Sequence, residues 1–235
     1  MPTDPYSVVS DAVATALARP EILVPALVAL AVVVWTVTWR LTRTVVTIAH
    51  EGGHAVLAVL TGRGLSGIRL HADTSGVTHS TGRGTGLGVT LMFLGGYPAP
   101  PVLGLAGSLA VAAGYSTATL WVATGLLVLT LVHVRNAFGA AAVLLTGAAC
   151  GAVAYFAPPD LRTAFATALC WFLLFGGVRA AGEMQRGRRR GRSRNSDADQ
   201  LAAITGVAGG VWAAVFSLVA VAALAAAIWV LLLRT

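Results

Sequence analysis

His50-Glu51-Gly52-Gly53-His54 sets two imidazoles four residues apart with a carboxylate beside the first. On a helix that spacing stacks both rings on one face, so both reach a single ion. Glu51 projects nearby and can act as a base on metal-bound water, whose pKa the metal lowers to about 7. Gly52 and Gly53 weaken helix propensity. They also remove bulk beside the ion, which allows another backbone close by. Two histidines leave a tetrahedral site short of a ligand, because a catalytic zinc takes three protein ligands and a water. The candidates are His71, His79, His133, Asp73, Asp160, Glu183, Asp197 and Asp199. Asp197 and Asp199 stand out because they open the last apolar run. They read equally well as a helix N-cap with acidic first-turn residues. Two residues apart on a helix, they point roughly 200° from each other, so only one can face the metal.

The elements that must position these groups are hydrophobic. The chain has 235 residues, 57% of them hydrophobic and 11% charged, where a soluble domain is about a quarter charged. A helix needs about 20 apolar residues to cross a bilayer. Such runs occupy Ile22–Trp39, Thr44–Leu60, Thr85–Ala113, Thr117–Val134, Ala137–Phe156, Thr163–Ala181 and Ala202–Leu233. Pro98, Pro100 and Pro101 interrupt the third. The pattern predicts an all-α integral membrane protein of about seven transmembrane helices, between six and eight, forming a single polytopic domain over residues 1–235. Two His and a Glu inside the second run are costly in lipid and therefore point to function.

Two polar stretches separate the runs. Within residues 62–85, Ile68-Arg69-Leu70-His71 and Val77-Thr78-His79-Ser80 alternate apolar and polar around Asp73-Thr74-Ser75-Gly76, which predicts a β-hairpin. Residues 185–200 carry Arg186, Arg188, Arg189, Arg190, Arg192 and Arg194, which predicts a flexible cytoplasmic loop. Every basic residue is Arg, and the net charge is +7. Its clustering at helix ends and in one loop reads as a membrane-orientation signal, with no nucleic-acid partner. With residues 185–200 inside, alternation puts Arg40, Arg43, Arg162 and Arg234 outside. The other 16 − 4 = 12 arginines, including those of the N-terminal segment and hairpin, fall inside. Arg40 and Arg43 are the dissenting pair. Cys150 and Cys170 lie in apolar runs without metal-ligand spacing and read as small buried side chains. The first apolar run reads as a retained anchor, not a cleaved leader.

Ile48-Ala49-His50-Glu51-Gly52-Gly53-His54-Ala55 resembles the zinc helix of the site-2 protease family of intramembrane metallopeptidases. The hairpin from Gly67-Ile68-Arg69-Leu70 through Gly76-Val77-Thr78 fits the segment that follows the zinc helix in that family. Leu94-Gly95-Gly96-Tyr97-Pro98-Ala99-Pro100 resembles the third helix of a bacterial branch without a PDZ domain. Ser196-Asp197-Ala198-Asp199-Gln200-Leu201-Ala202, with Thr205-Gly206 and Trp212, is similar to that branch's C-terminal Asp motif. The Asn-Pro-rich Asp-Gly segment of the best-known members is absent.

The resemblance implies a multi-pass zinc endopeptidase of the cell membrane. Its substrates would be transmembrane or membrane-adjacent segments of other membrane proteins, met within the lipid bilayer. By matching position, His50, His54 and Asp197 would bind Zn2+, with Asp199 as the fallback ligand, and Glu51 would be the catalytic base. A non-catalytic membrane scaffold of the same fold is the first alternative, against which the intact Glu51 argues. A metal or proton transporter is the second. It would need polar residues spread over several helices, and the fourth to sixth runs carry almost none beyond Thr and Ser.

Overall fold

In a computed structural model, which describes residue 14, residues 17–191 and residues 195–233, the chain is helical apart from one hairpin. Helix α1 is Pro20–Val34 and α2 is Thr36–Leu60. Strands β1 (Gly64–Leu70) and β2 (Gly76–Thr81) follow. Then come α3 (Leu87–Gly95), α4 (Ala99–Ala112), α5 (Ser116–His133) and α6 (Ala137–Phe156). Helices α7 (Pro159–Arg189), α8 (Asp197–Thr205) and α9 (Gly209–Ile228) complete the set, α9 running on into a π-turn at Trp229–Leu233.

Proline and glycine set several boundaries. Pro20 and Pro159 open α1 and α7 at the first helical position, where the missing N–H costs nothing. Gly206 closes α8 in the left-handed region at φ 74°. The apolar run Ala202–Leu233 is therefore two helices, not one. The run Thr85–Ala113 also breaks, at Gly96-Tyr97-Pro98, and its halves are bent by 64°. Helices α1 and α2 meet at 104°.

Among the described residues, four helices are long and apolar enough to cross a membrane, or up to six if each bent pair is one span. This sits at or below the low end of the six to eight expected from apolar runs, because the first two runs form one bent pair and the third is broken at Gly96 into two short helices. Residues 185–200 also differ from a simple loop: α7 stays helical to Arg189 and α8 starts at Asp197. Arg192 and Arg194 lie outside the described residues.

Helix α7 is the hub. Its Ala166, Cys170, Trp171 and Leu174 are buried against α1, α4 and α9. On α9, Ala213, Phe216, Ala220, Ala223 and Ala227 form one buried face. Small residues at this spacing let helices approach closely, which is how helices associate in lipid. Leu129, Leu145 and Leu218 point outward. In a bilayer such an apolar exterior faces acyl chains. Hydroxyls inside the spans are satisfied locally: Thr124, Thr130, Thr146 and Thr167 each donate to the carbonyl four residues back.

The hairpin forms as expected, antiparallel with Ile68 opposite Thr78 and Leu70 opposite Gly76. A bulge separates Leu65 from Gly67. Its turn reaches back along α2, where the Thr47 hydroxyl donates to the Thr74 carbonyl at 2.9 Å. The outer edge of β1 is held by the α5–α6 junction. The Arg135 amide donates to the Ile68 carbonyl at 2.9 Å. Asn136 brackets Leu70, donating to its carbonyl at 2.7 Å and accepting its amide at 3.2 Å.

One sequence expectation is overturned. Arg43 lies 3.5 Å from Glu183, three residues before Arg186, and Arg179 donates to the Val33 and Val34 carbonyls at the α1–α2 break. Arg40 and Arg43 therefore share a side with the arginine-rich end of α7 instead of standing across the membrane from it. Arg19, placed with that end from the sequence, instead bonds the Leu231 carbonyl at the far end of α9. Simple alternation fails because the first two runs pack as a sharply bent pair.

Candidate metal centre

Helix α2 carries His50 and His54 one turn apart, with their rings edge to face at 4.7 Å. Their Nε2 atoms are 3.1 Å apart. The His54 Nδ1 lies 2.7 Å from the Met92 carbonyl of α3. A carbonyl only accepts, so Nδ1 carries the proton and the neutral ring's Nε2 presents a lone pair.

That contact depends on the close crossing of α2 and α3. A Cβ on Gly53 would overlap the Gly95 carbonyl oxygen, and one on Gly95 would lie 2.6 Å from that of Gly53. The backbone approach anticipated for the glycine pair thus belongs to Gly53; Gly52 has open space beside it. Gly96 is as constrained: a Cβ there would sit 2.5 Å from His54 Nε2 and from Asp197 Oδ2.

Asp197 enters from the first turn of α8. Its Oδ2 lies 3.3 Å from His50 Nε2 and 3.2 Å from His54 Nε2. Asp199 faces away, as helix geometry requires. It accepts from the Ser196 amide and hydroxyl at 3.1 and 2.6 Å, and from Arg188 Nε at 2.9 Å. Burial pushes its carboxyl up, but the Ser196 and Arg188 bonds outweigh that and hold it below the usual carboxylate value. Asp199 therefore caps α8, while Asp197 meets the histidines.

The three converging atoms fit a cation. Asp197 Oδ2 is buried without a hydrogen-bond partner. With His54 Nε2 unprotonated, acceptors face one another, which is repulsive unless a positive charge sits between them. The triangle edges of 3.1, 3.2 and 3.3 Å match the ligand separation of about 3.3 Å around a tetrahedral ion with donor distances of about 2.0–2.1 Å. Among the described residues this is the one such group of His, Cys, Asp or Glu.

Glu51 is buried beside the centre. Its Oε2 accepts from the Thr78 hydroxyl of β2 at 2.6 Å. Tyr97 packs edge-on against His50 at 4.7 Å and stacks on Phe216. A cleft of about 390 Å³, lined in part by Arg43, His50, Glu51, Ser75, Tyr97 and Asp197, opens on the group.

The remaining candidates lie elsewhere. Glu183 is held by Trp39, Arg43 and Arg179. His133 bonds its own helix at Leu129, and His71 meets Ser75 in the hairpin turn. Asp73 accepts from the Ser75 hydroxyl and amide, which lowers its pKa. Met92, Gly96 and Thr78 are neighbours of the site that spacing did not single out.

Residues 23–227 match Peptidase M50B-like, nearly the whole chain. The chain belongs to this family. The match bears out the resemblance to site-2 proteases. M50 members are membrane-embedded metallopeptidases, so this is a membrane protein of that kind at the family level. Neither a curated protein nor a solved structure matches it.

Proposed function

We propose that the chain is a zinc-dependent endopeptidase that cleaves peptide bonds in or near transmembrane segments of other proteins of the cell membrane. The convergence of His50, His54 and Asp197, at a cleft that His50, Asp197 and Glu51 line, carries this reading. Zinc held by these three ligands would supply the positive charge that brings a bound water's pKa to about 7 and polarises the scissile carbonyl. His54 is kept in the ligating tautomer by Met92. Glu51 takes the proton of the attacking water and passes it to the departing amine nitrogen. Asp197 offsets part of the ion's charge.

A helical substrate must unwind before its carbonyl is reachable. The hairpin supports binding of an extended segment by β-augmentation. The β1 edge is taken up by residues 134–136, so β2 is the edge left for such a strand. Ser75, at the head of β2, lines the cleft.

The test compares wild type with Glu51→Gln. Both should hold about one zinc per chain, and the variant should lose at least about 100-fold in peptide cleavage. Membrane proteomes of cells carrying each form should then differ in full-length substrates. Equal cleavage by the two proteins would overturn the reading.

A further inference from the structure

A carboxylate base must present one oxygen to water, yet the terminal torsion of Glu is broad and leaves its carboxyl free to turn. Helix α2 does not by itself fix Glu51. Strand β2 does. The Thr78 hydroxyl lies 2.6 Å from Glu51 Oε2 and 3.1 Å from the Glu51 backbone carbonyl. A hydroxyl has one proton, and the shorter, charge-assisted contact takes it. Two residues earlier, Gly76 passes over the other oxygen. A Cβ at Gly76 would lie 2.6 Å from both Cγ and Oε1 of Glu51. The hairpin thus ties down Oε2 and leaves space at Oε1. The register makes the pair act together: Gly76 and Thr78 lie on one face of the strand, opposite Leu70 and Ile68. Both partners are buried, Leu70 fully and Ile68 nearly so, which fixes the strand against the site.

We infer that Thr78 is a positioning residue for Glu51, holding Oε2 so that Oε1, under the side-chain-free Gly76, receives the water proton. The inference rests on the proposed peptidase reading. It makes the hairpin part of the proton-transfer machinery in addition to any role in holding substrate. Loss of the hydroxyl lets the carboxyl turn without touching a metal ligand. A methyl at position 76 would meet Cγ, Cδ and Oε1 of Glu51 as its nearest atoms, none of them backbone, so it displaces the carboxyl from its place.

The experiment uses the full-length protein in detergent or nanodiscs, with Thr78→Val, Thr78→Ser and Gly76→Ala beside wild type and Glu51→Gln. Zinc content and the thermal midpoint are measured with kcat and KM on one membrane-peptide substrate. Thr78→Val should lose about 10- to 100-fold in kcat, with KM and zinc content unchanged, and Thr78→Ser should recover most of it. Gly76→Ala should lose kcat while still binding zinc. A Thr78→Val enzyme with wild-type kcat, or one whose loss lies wholly in KM or in zinc, would overturn the inference and leave the peptidase reading intact. Absence of Glu51-dependent cleavage in wild type would instead sink the peptidase reading, and this inference with it.

Discussion

Asp197 and Asp199 divide two jobs that spacing alone leaves undivided. Helix geometry dictates that they face apart, and Ser196 decides which faces where. Its amide and hydroxyl claim Asp199, an N3 acid, which leaves Asp197 at N1 to meet the histidines. Replacing Asp199 by Ala should therefore cost about 1 kcal/mol of stability and spare the zinc. Asp197→Ala should lose zinc, as should His50→Ala and His54→Ala. Metal analysis of the purified variants checks all four, and zinc lost from Asp199→Ala but kept by Asp197→Ala would reverse the assignment. The His-x-x-x-His spacing was legible because it is local and periodic. In sequence the aspartate pair reads as a helix N-cap with acidic first-turn residues; the capping box between Ser196 and Asp199 comes from the structure. Met92 and Thr78 were not legible. A backbone carbonyl has no sequence signature, and one Thr among many carries none.

At the scale of elements, two contacts decide whether the site assembles. The first is the α2–α3 crossing at Gly53 and Gly95. Gly53→Ala gains up to about 1 kcal/mol of helix propensity. It must also push a backbone carbonyl aside, and overpacking of this kind costs about 1–3 kcal/mol. The variant should melt earlier and bind zinc more weakly, because Met92 moves off His54; Gly52→Ala, with open space beside it, should do neither. The second contact is Asn136 on Leu70. Asn136→Ala removes both hydrogen bonds from the β1 edge and strands partly buried backbone groups, costing about 1–3 kcal/mol. Faster hydrogen exchange at Leu70, with α6 unchanged, is the expected readout. Asn136 reads as a helix-end surface residue in sequence, since nothing local reveals a partner 66 positions away. The hairpin itself was legible, as alternation around Asp73-Thr74-Ser75-Gly76. The helical extension of α7 to Arg189 was masked by its polarity, although Arg, Gln and Met are good helix formers.

For the whole molecule, hydrophobicity settles what dissolves the chain but not how many times it crosses or in which sense. Counting runs and alternating sides assumes that each run is a straight span. The 104° bend between α1 and α2 and the broken α3–α4 pair defeat that assumption. Orientation is better argued from contacts. Arg188 reaches the Gly209 carbonyl at the start of α9, and Arg19 reaches the Leu231 carbonyl at its end, so these arginines mark opposite ends of one span. Glu183 draws Arg43 to the Arg188 end. Arg40 and Arg43 thus join Arg186, Arg188, Arg189 and Arg190 on one side, which removes the dissent that alternation created. The positive-inside rule predicts that this side is the cytoplasmic one. Single cysteines placed at Arg40 and Arg190 in a cysteine-free background should resist a membrane-impermeant thiol reagent in intact cells and react after permeabilisation. A cysteine at Asp160, where α7 begins, should react from outside without it. Labelling of positions 40 and 160 together, with 190 protected, would restore the alternating topology. That pattern would also mean that the Arg43–Glu183 pair does not form in the membrane.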